Sequence, residues 1–261
     1  MSESNSNPMP KPPIMTPAVA SPPPLGELPA EREPIRGFAA AVEAILREPR
    51  RVMFQLGQPG AGRVMAALLA SAIGCALVFG VVVGTFSGGV QLWAAPVKIA
   101  TGLLLSAAIC LPSLYIFACL GGSRARLLDV CGLVVGLLAL VTMLLVGFAP
   151  VAWVFSQSTE SEVAMGIMHL AFWFIASYFG LRFLNAGFAQ LNARAGGGLK
   201  MWMVVFMFVA LQMTTALRPI IGTAPTLLPA EKKFFLSHWI DCMGGQPHTA
   251  STTSRQGQKP R

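Results

Sequence analysis

Charge is what this chain has least of. Only 11% of its 261 residues are Asp, Glu, Lys or Arg, against roughly a quarter in soluble globular domains. The shortage is concentrated, because the stretches 64–97, 99–123, 130–159, 163–181 and 201–217 hold no charged residue at all. Acids are scarcest: there are eleven, six of them precede residue 49, and Glu160, Glu162, Glu231 and Asp241 fall between or after the apolar runs. Asp129 alone stands at the end of such a run, so no carboxylate lies near the middle of one. Proton- or sodium-coupled transport through a buried acid is therefore excluded as an expectation, since such sites need ionisable groups inside the bundle. The five cysteines have no CxxC or CxxCH spacing, which removes redox and haem-attachment motifs. Zinc-protease, nucleophile-elbow and phosphate-loop signatures are missing as well. No recognised zinc spacing links His238, Asp241, Cys242 and His248. The chain is expected to be non-enzymatic, without a metal or cofactor.

What remains is apolar: 54% of the chain is hydrophobic. A hydrocarbon core about 30 Å thick needs roughly 20 apolar residues at 1.5 Å rise each. The uncharged runs predict five transmembrane helices at about 64–85, 99–120, 128–149, 163–184 and 201–221. The fifth is marginal in length, and Lys200 and Arg218 can snorkel from its ends. The fold class is all-α, a polytopic bundle. Cys75, Cys110, Cys119 and Cys131 lie in or at the ends of these runs, where cysteine acts as a small hydrophobe.

Ahead of the spans, residues 1–34 hold ten prolines, including Pro22-Pro23-Pro24. Proline cannot donate to a ladder and stiffens the chain towards polyproline II, so a disordered extended tail is expected, serving as a tether or a docking ligand. No basic segment followed by an apolar one marks a cleavable signal peptide. From 35 to 62 the pattern becomes amphipathic. Ile35, Phe38, Val42 and Ile45 share one helical face, Pro49 ends the helix, and Arg50 and Arg51 follow. Such a segment suits the cytoplasmic lipid interface or packs on the ends of the bundle. Residues 222–261 read as an interfacial segment and tail on the other side. Gly121-Gly122 is expected to make a tight turn, and Gly196-Gly197-Gly198 a flexible loop.

Orientation follows from basic residues near span ends. With the N-terminus inside, the cytoplasm receives Arg47, Arg50, Arg51, Arg63, Arg124, Arg126, Arg182, Arg194 and Lys200, and the opposite side Lys98, Arg218, Lys232 and Lys233. Trp93 and Trp153 are placed at the outer interface and Trp202 at the inner one. The formal charge of +8 is accounted for by these flanks rather than by a nucleic-acid surface. Arg outnumbers Lys thirteen to six, which with abundant Ala and Gly points to a GC-rich bacterium and its inner membrane.

Few residues inside the spans are polar enough to carry a role. His169 is the titratable group read as lying clearly within a span, hydrogen-bonded to a neighbouring helix or functional. Asp129 can pair with Arg126 or Arg182 at the cytoplasmic end, or these charges can be separately solvated. Gly80, Gly84 and Gly88, and Gly132 and Gly136, repeat every four residues. Small residues so spaced let helices approach closely, within one chain or between copies.

A cytoplasmic N-terminal segment, five closely spaced spans and the turn Leu120-Gly121-Gly122-Ser123 before the third resemble the Ypt-interacting-protein (Yip) family over residues 45–218. Relatives in eukaryotes carry an Asp-Leu-Tyr-Gly-Pro motif before the first span, which this chain lacks. The resemblance implies a non-catalytic protein that organises lipid or protein partners: a scaffold or accessory subunit, as a homo-oligomer or with another membrane protein. The alternative is a transporter or channel component for an apolar or uncharged solute.

Overall fold

The computed structural model describes residues 23–87, 91–123, 125–158, 162–191 and 197–216. Every regular element among them is a helix: α1 (Pro29–Arg32), α2 (Phe38–Arg47), α3 (Pro49–Leu56), α4 (Ala61–Ser87), α5 (Gln91–Leu120), α6 (Leu127–Ser158), α7 (Glu162–Gln190) and α8 (Gly197–Ala216). Four are long and apolar enough to cross a membrane, over Ala61–Thr85, Leu92–Leu120, Leu127–Ser158 and Ala164–Gln190. Their 25 to 32 residues measure ~38–48 Å at helical rise. They therefore outrun both the expected spans and an apolar core of about 30 Å. Nothing forces a helix to stop where its charge-free run stops. The fifth expected span, 201–221, corresponds to α8, whose described apolar stretch is Met201–Ala210; 217–221 lie outside the described residues.

The long helices pack as a row that curls round until its two ends meet. α4 lies between α5 and α6, α7 lies against α6, α8 lies against α5, and α7 and α8 touch lightly. α6 is the most buried candidate span and α7 the least. The row is glued by glycines that let neighbours in. A Cβ on Gly80 in α4 would run into the backbone of Pro96 in α5, with the Pro96 nitrogen 2.8 Å away. Gly136 in α6 receives the Phe183 ring, Gly180 in α7 receives Val141, and Gly187 receives Leu133. α8 is fixed by Trp202, only 1% exposed. Its indole Nε1 donates to the Cys110 carbonyl at 3.0 Å and to Ser113 Oγ at 3.1 Å, beside Pro112 in α5. Trp202 is thus a wedge between helices, not the interfacial anchor expected, whereas Trp93 and Trp153 are exposed.

One end of the row is closed by α1–α3, which pack on one another and on α4 and α6. We call it the entry end. Leu56 of α3 covers Gly132, and Ile45 of α2 reaches Gly136. At the same end α5 stops in a Schellman motif: Ser123 N–H donates to Ala118 carbonyl at 3.1 Å and Gly122 N–H to Cys119 carbonyl at 3.0 Å. The left-handed φ of +79° at Gly122 is the reason a glycine sits there. Ser123 Oγ then donates to the Leu191 carbonyl at 3.2 Å, tying this turn to the end of α7.

Candidate functional site

The densest polar chemistry among the described residues lies in the cap at the entry end, in a stretch expected to be part of a disordered tail. Glu31 of α1 has a side chain only 4% exposed. One carboxylate oxygen accepts Arg50 Nε at 2.5 Å, and the other accepts the Gly26 N–H at 2.5 Å. Burial alone works to raise this carboxyl. The Arg50 and Gly26 hydrogen bonds and the Arg50 charge outweigh it and hold the group below its usual range. Arg50 Nη2 also donates to the Pro23 carbonyl at 2.7 Å, and Arg32 Nε to the Gly26 carbonyl at 2.6 Å. Arg51 pairs with Glu48 at 2.9 Å and with Glu33 at 3.6 Å. Gly26 completes the clasp: its φ is +90°, and the Phe54 ring lies where a Cβ would go. Residues 23–34 are therefore strapped to α3. Proline content hid this, because it reports missing backbone donors and not the side-chain partners that replace them. Residues 1–22 lie outside the described residues.

The amphipathic segment divides its apolar face. Ile35 and Ile45 are buried in the cap together with Ala41 and Ala44, whereas Phe38 is 56% exposed and Leu46 is exposed. Val42 is half-buried between them. Glu43 and Arg47 pair at 3.0 Å further round the same helix. The helix thus has a bundle-facing face and an apolar edge left outward.

Of the two arrangements expected for the charges at the span ends, an ion pair or separate solvation, no ion pair forms among the described residues. Asp129 Oδ2 accepts the Arg126 backbone N–H at 2.9 Å, capping the start of α6 in the manner of a capping box. Arg126 and Arg182 are exposed, and neither forms an ion pair among the described residues. His169 bonds within its own helix and not to a neighbour: Nδ1 donates to the Met165 carbonyl at 2.8 Å, and the ring lies 5.8 Å from Phe79 of α4. Its Nε2 is buried without a partner among the described residues. Lys98, read as a flank, lies within α5 and is only 5% exposed. The signal missed was that the helix begins at Gln91, ahead of the charge that seemed to bound it.

The glycines sort by partner. Gly80 and Gly136 meet other candidate spans and Gly132 meets the cap, so the close approaches are within the chain. Gly84 is buried and Gly88 lies outside the described residues. Gly180 and Gly187, seven residues apart on α7, do the same work and escape a search for repeats of four. The interior hydroxyls of Ser71, Ser106 and Thr142 return to carbonyls of their own helices, Leu68, Gly102 and Leu138. Cys75, Cys110, Cys119 and Cys131 are free thiols, of which Cys119 is exposed at the entry end of α5. Cys242, His238, Asp241 and His248 lie outside the described residues. No protein-family model, curated protein or solved structure matches the chain.

Proposed function

We propose that this protein is a non-enzymatic accessory or scaffold subunit of a membrane complex, a five-span bundle whose entry end faces the cytoplasm. The observation that carries the reading is the clasp. A buried carboxylate, two arginines and a left-handed glycine fix the point at which the N-terminal segment leaves the bundle. Such an arrangement presents a tail at a set place on a membrane surface and has no evident role in moving a solute. α8 supports a fifth crossing. It lies against α5, where the buried Trp202 indole donates to the Cys110 carbonyl and the Ser113 hydroxyl. The layout read from the sequence resembles the Yip family, and the basic flanks favour a cytoplasmic N-terminus in a bacterial inner membrane. A second reading, a transporter component, draws on Lys98 and on His169 Nε2 within α5 and α7. Purification in mild detergent with a partner at fixed stoichiometry is the expected result. Solute flux by the purified protein in liposomes, with no partner retained, would favour the second reading instead.

A further inference from the structure

The least buried candidate span, α7, carries polar side chains on the face it turns away from the bundle. Its inward face holds Ser177, Gly180, Phe183, Leu184 and Gly187, buried against the rest of the chain. Its outward face holds Tyr178, Arg182 and Asn185, all exposed, with Tyr178 at 62%. Spacings of four and three put the three on one helical stripe. Tyr178 stands beside the middle of the span Ala164–Gln190, and Arg182 lies eight residues short of the helix's end, ~12 Å at helical rise. A centred helix of this length outruns a core of about 30 Å, which places Arg182 roughly 7 Å inside the core's edge. Polar and ionised groups at such depth rarely face lipid, and they find partners on other helices. Snorkelling of Arg182 has to work against the lean of helical side chains towards the N-terminus. In α7 that direction leads away from the entry end, the nearer surface for Arg182.

We propose that this stripe binds a transmembrane helix of a different protein, one that presents a carboxylate to Arg182 and hydrogen-bond partners to Tyr178 and Asn185. Charge complementarity selects a different protein over a second copy. The chain has no Asp or Glu between Glu162 and Glu231, and Asp129 is engaged as the cap of α6. A two-fold contact through this face would set Arg182 against its own equivalent. Tyr and Arg are also the residues that most often anchor interfaces. The proposal rests on the accessory-subunit reading and names the surface that reading would use.

The test places a photo-crosslinking amino acid at Phe174 or Ala186, exposed positions flanking the stripe, in the full chain in its native membrane. Val78 and Ile109, exposed on α4 and α5, serve as comparison sites. The expected adduct joins α7 to one other membrane protein, within a helical turn of an Asp or Glu in one of its spans. That adduct falls at least tenfold in Arg182→Ala and persists in Arg182→Lys, and both variants keep the thermal stability of the parent in detergent. Adducts to lipid alone or to a second copy would overturn the proposal, as would a partner adduct unaffected by Arg182→Ala. A stoichiometric partner that crosslinks only through Val78 or Ile109 would overturn it too, while leaving the accessory-subunit reading intact.

Discussion

Single residues set the tightness of this bundle, and glycine shows it most clearly. Replacing a helical glycine with alanine gains up to about 1 kcal/mol of intrinsic propensity, while overpacking costs about 1–3 kcal/mol. The sign at each position then depends on what the new methyl meets. At Gly80 it meets the Pro96 backbone, which has no rotamer to yield. At Gly132 it meets the end of the flexible Leu56 side chain at 3.2 Å, and at Gly147 nothing within 4 Å. Thermal unfolding in detergent is expected to rank Gly80→Ala well below the parent, Gly132→Ala near it and Gly147→Ala at or above it; equal effects at all three would contradict the packing described. Glu31 gives a second prediction. Its folded carboxyl titrates below the unfolded value, so its contribution is fully present at neutral pH. It is lost as pH falls below about 4.3 and through the lower folded value. Glu31→Gln removes charge-assisted bonds that contribute about 1–3 kcal/mol at a site where Arg50 remains partly exposed. Hydrogen exchange at the Gly26 amide should accelerate roughly tenfold or more, while exchange in α6 stays unchanged.

At the scale of elements, the four long apolar helices were legible in the sequence because charge is expelled from them. Their ends were not, since a lysine or arginine can lie inside a helix as readily as beyond it. Lys98 bounds the second expected span yet falls inside α5, and Arg182, two residues before the expected end of the fourth, is followed by eight more residues of α7. The strap of residues 23–34 was illegible for another reason: its Glu31–Arg50 pair spans 19 positions and leaves no periodic trace. α2 was half legible, as periodicity gave the face but not its division between bundle and surroundings. That division is testable. An environment-sensitive fluorophore at residue 38 should emit blue-shifted light and be quenched by brominated lipid. The same probe at residue 43, beside the Arg47 ion pair, should report water. Water at both positions would remove α2 from the lipid interface and leave it as cap alone.

The whole molecule reads as a row of apolar helices, closed at one end by an ion-paired cap and exposing a polar stripe on its least buried helix. Everything proposed about partners depends on which side of the membrane that cap occupies, and on α8 making the fifth crossing. Cysteine reactivity reports both, because a thiol attacks readily only as the thiolate in water. Cys119 is exposed at the entry end, and Cys242 lies beyond α8. The direct measurement is labelling with an impermeant maleimide, under a mild external reductant, before and after the inner membrane is opened. Cys242 is predicted to label in intact cells with a permeabilised outer envelope, and Cys119 only after opening, with Cys242→Ser removing the first signal. Labelling of Cys242 only after opening, or of Cys119 before it, would contradict a five-span bundle with its cap in the cytoplasm.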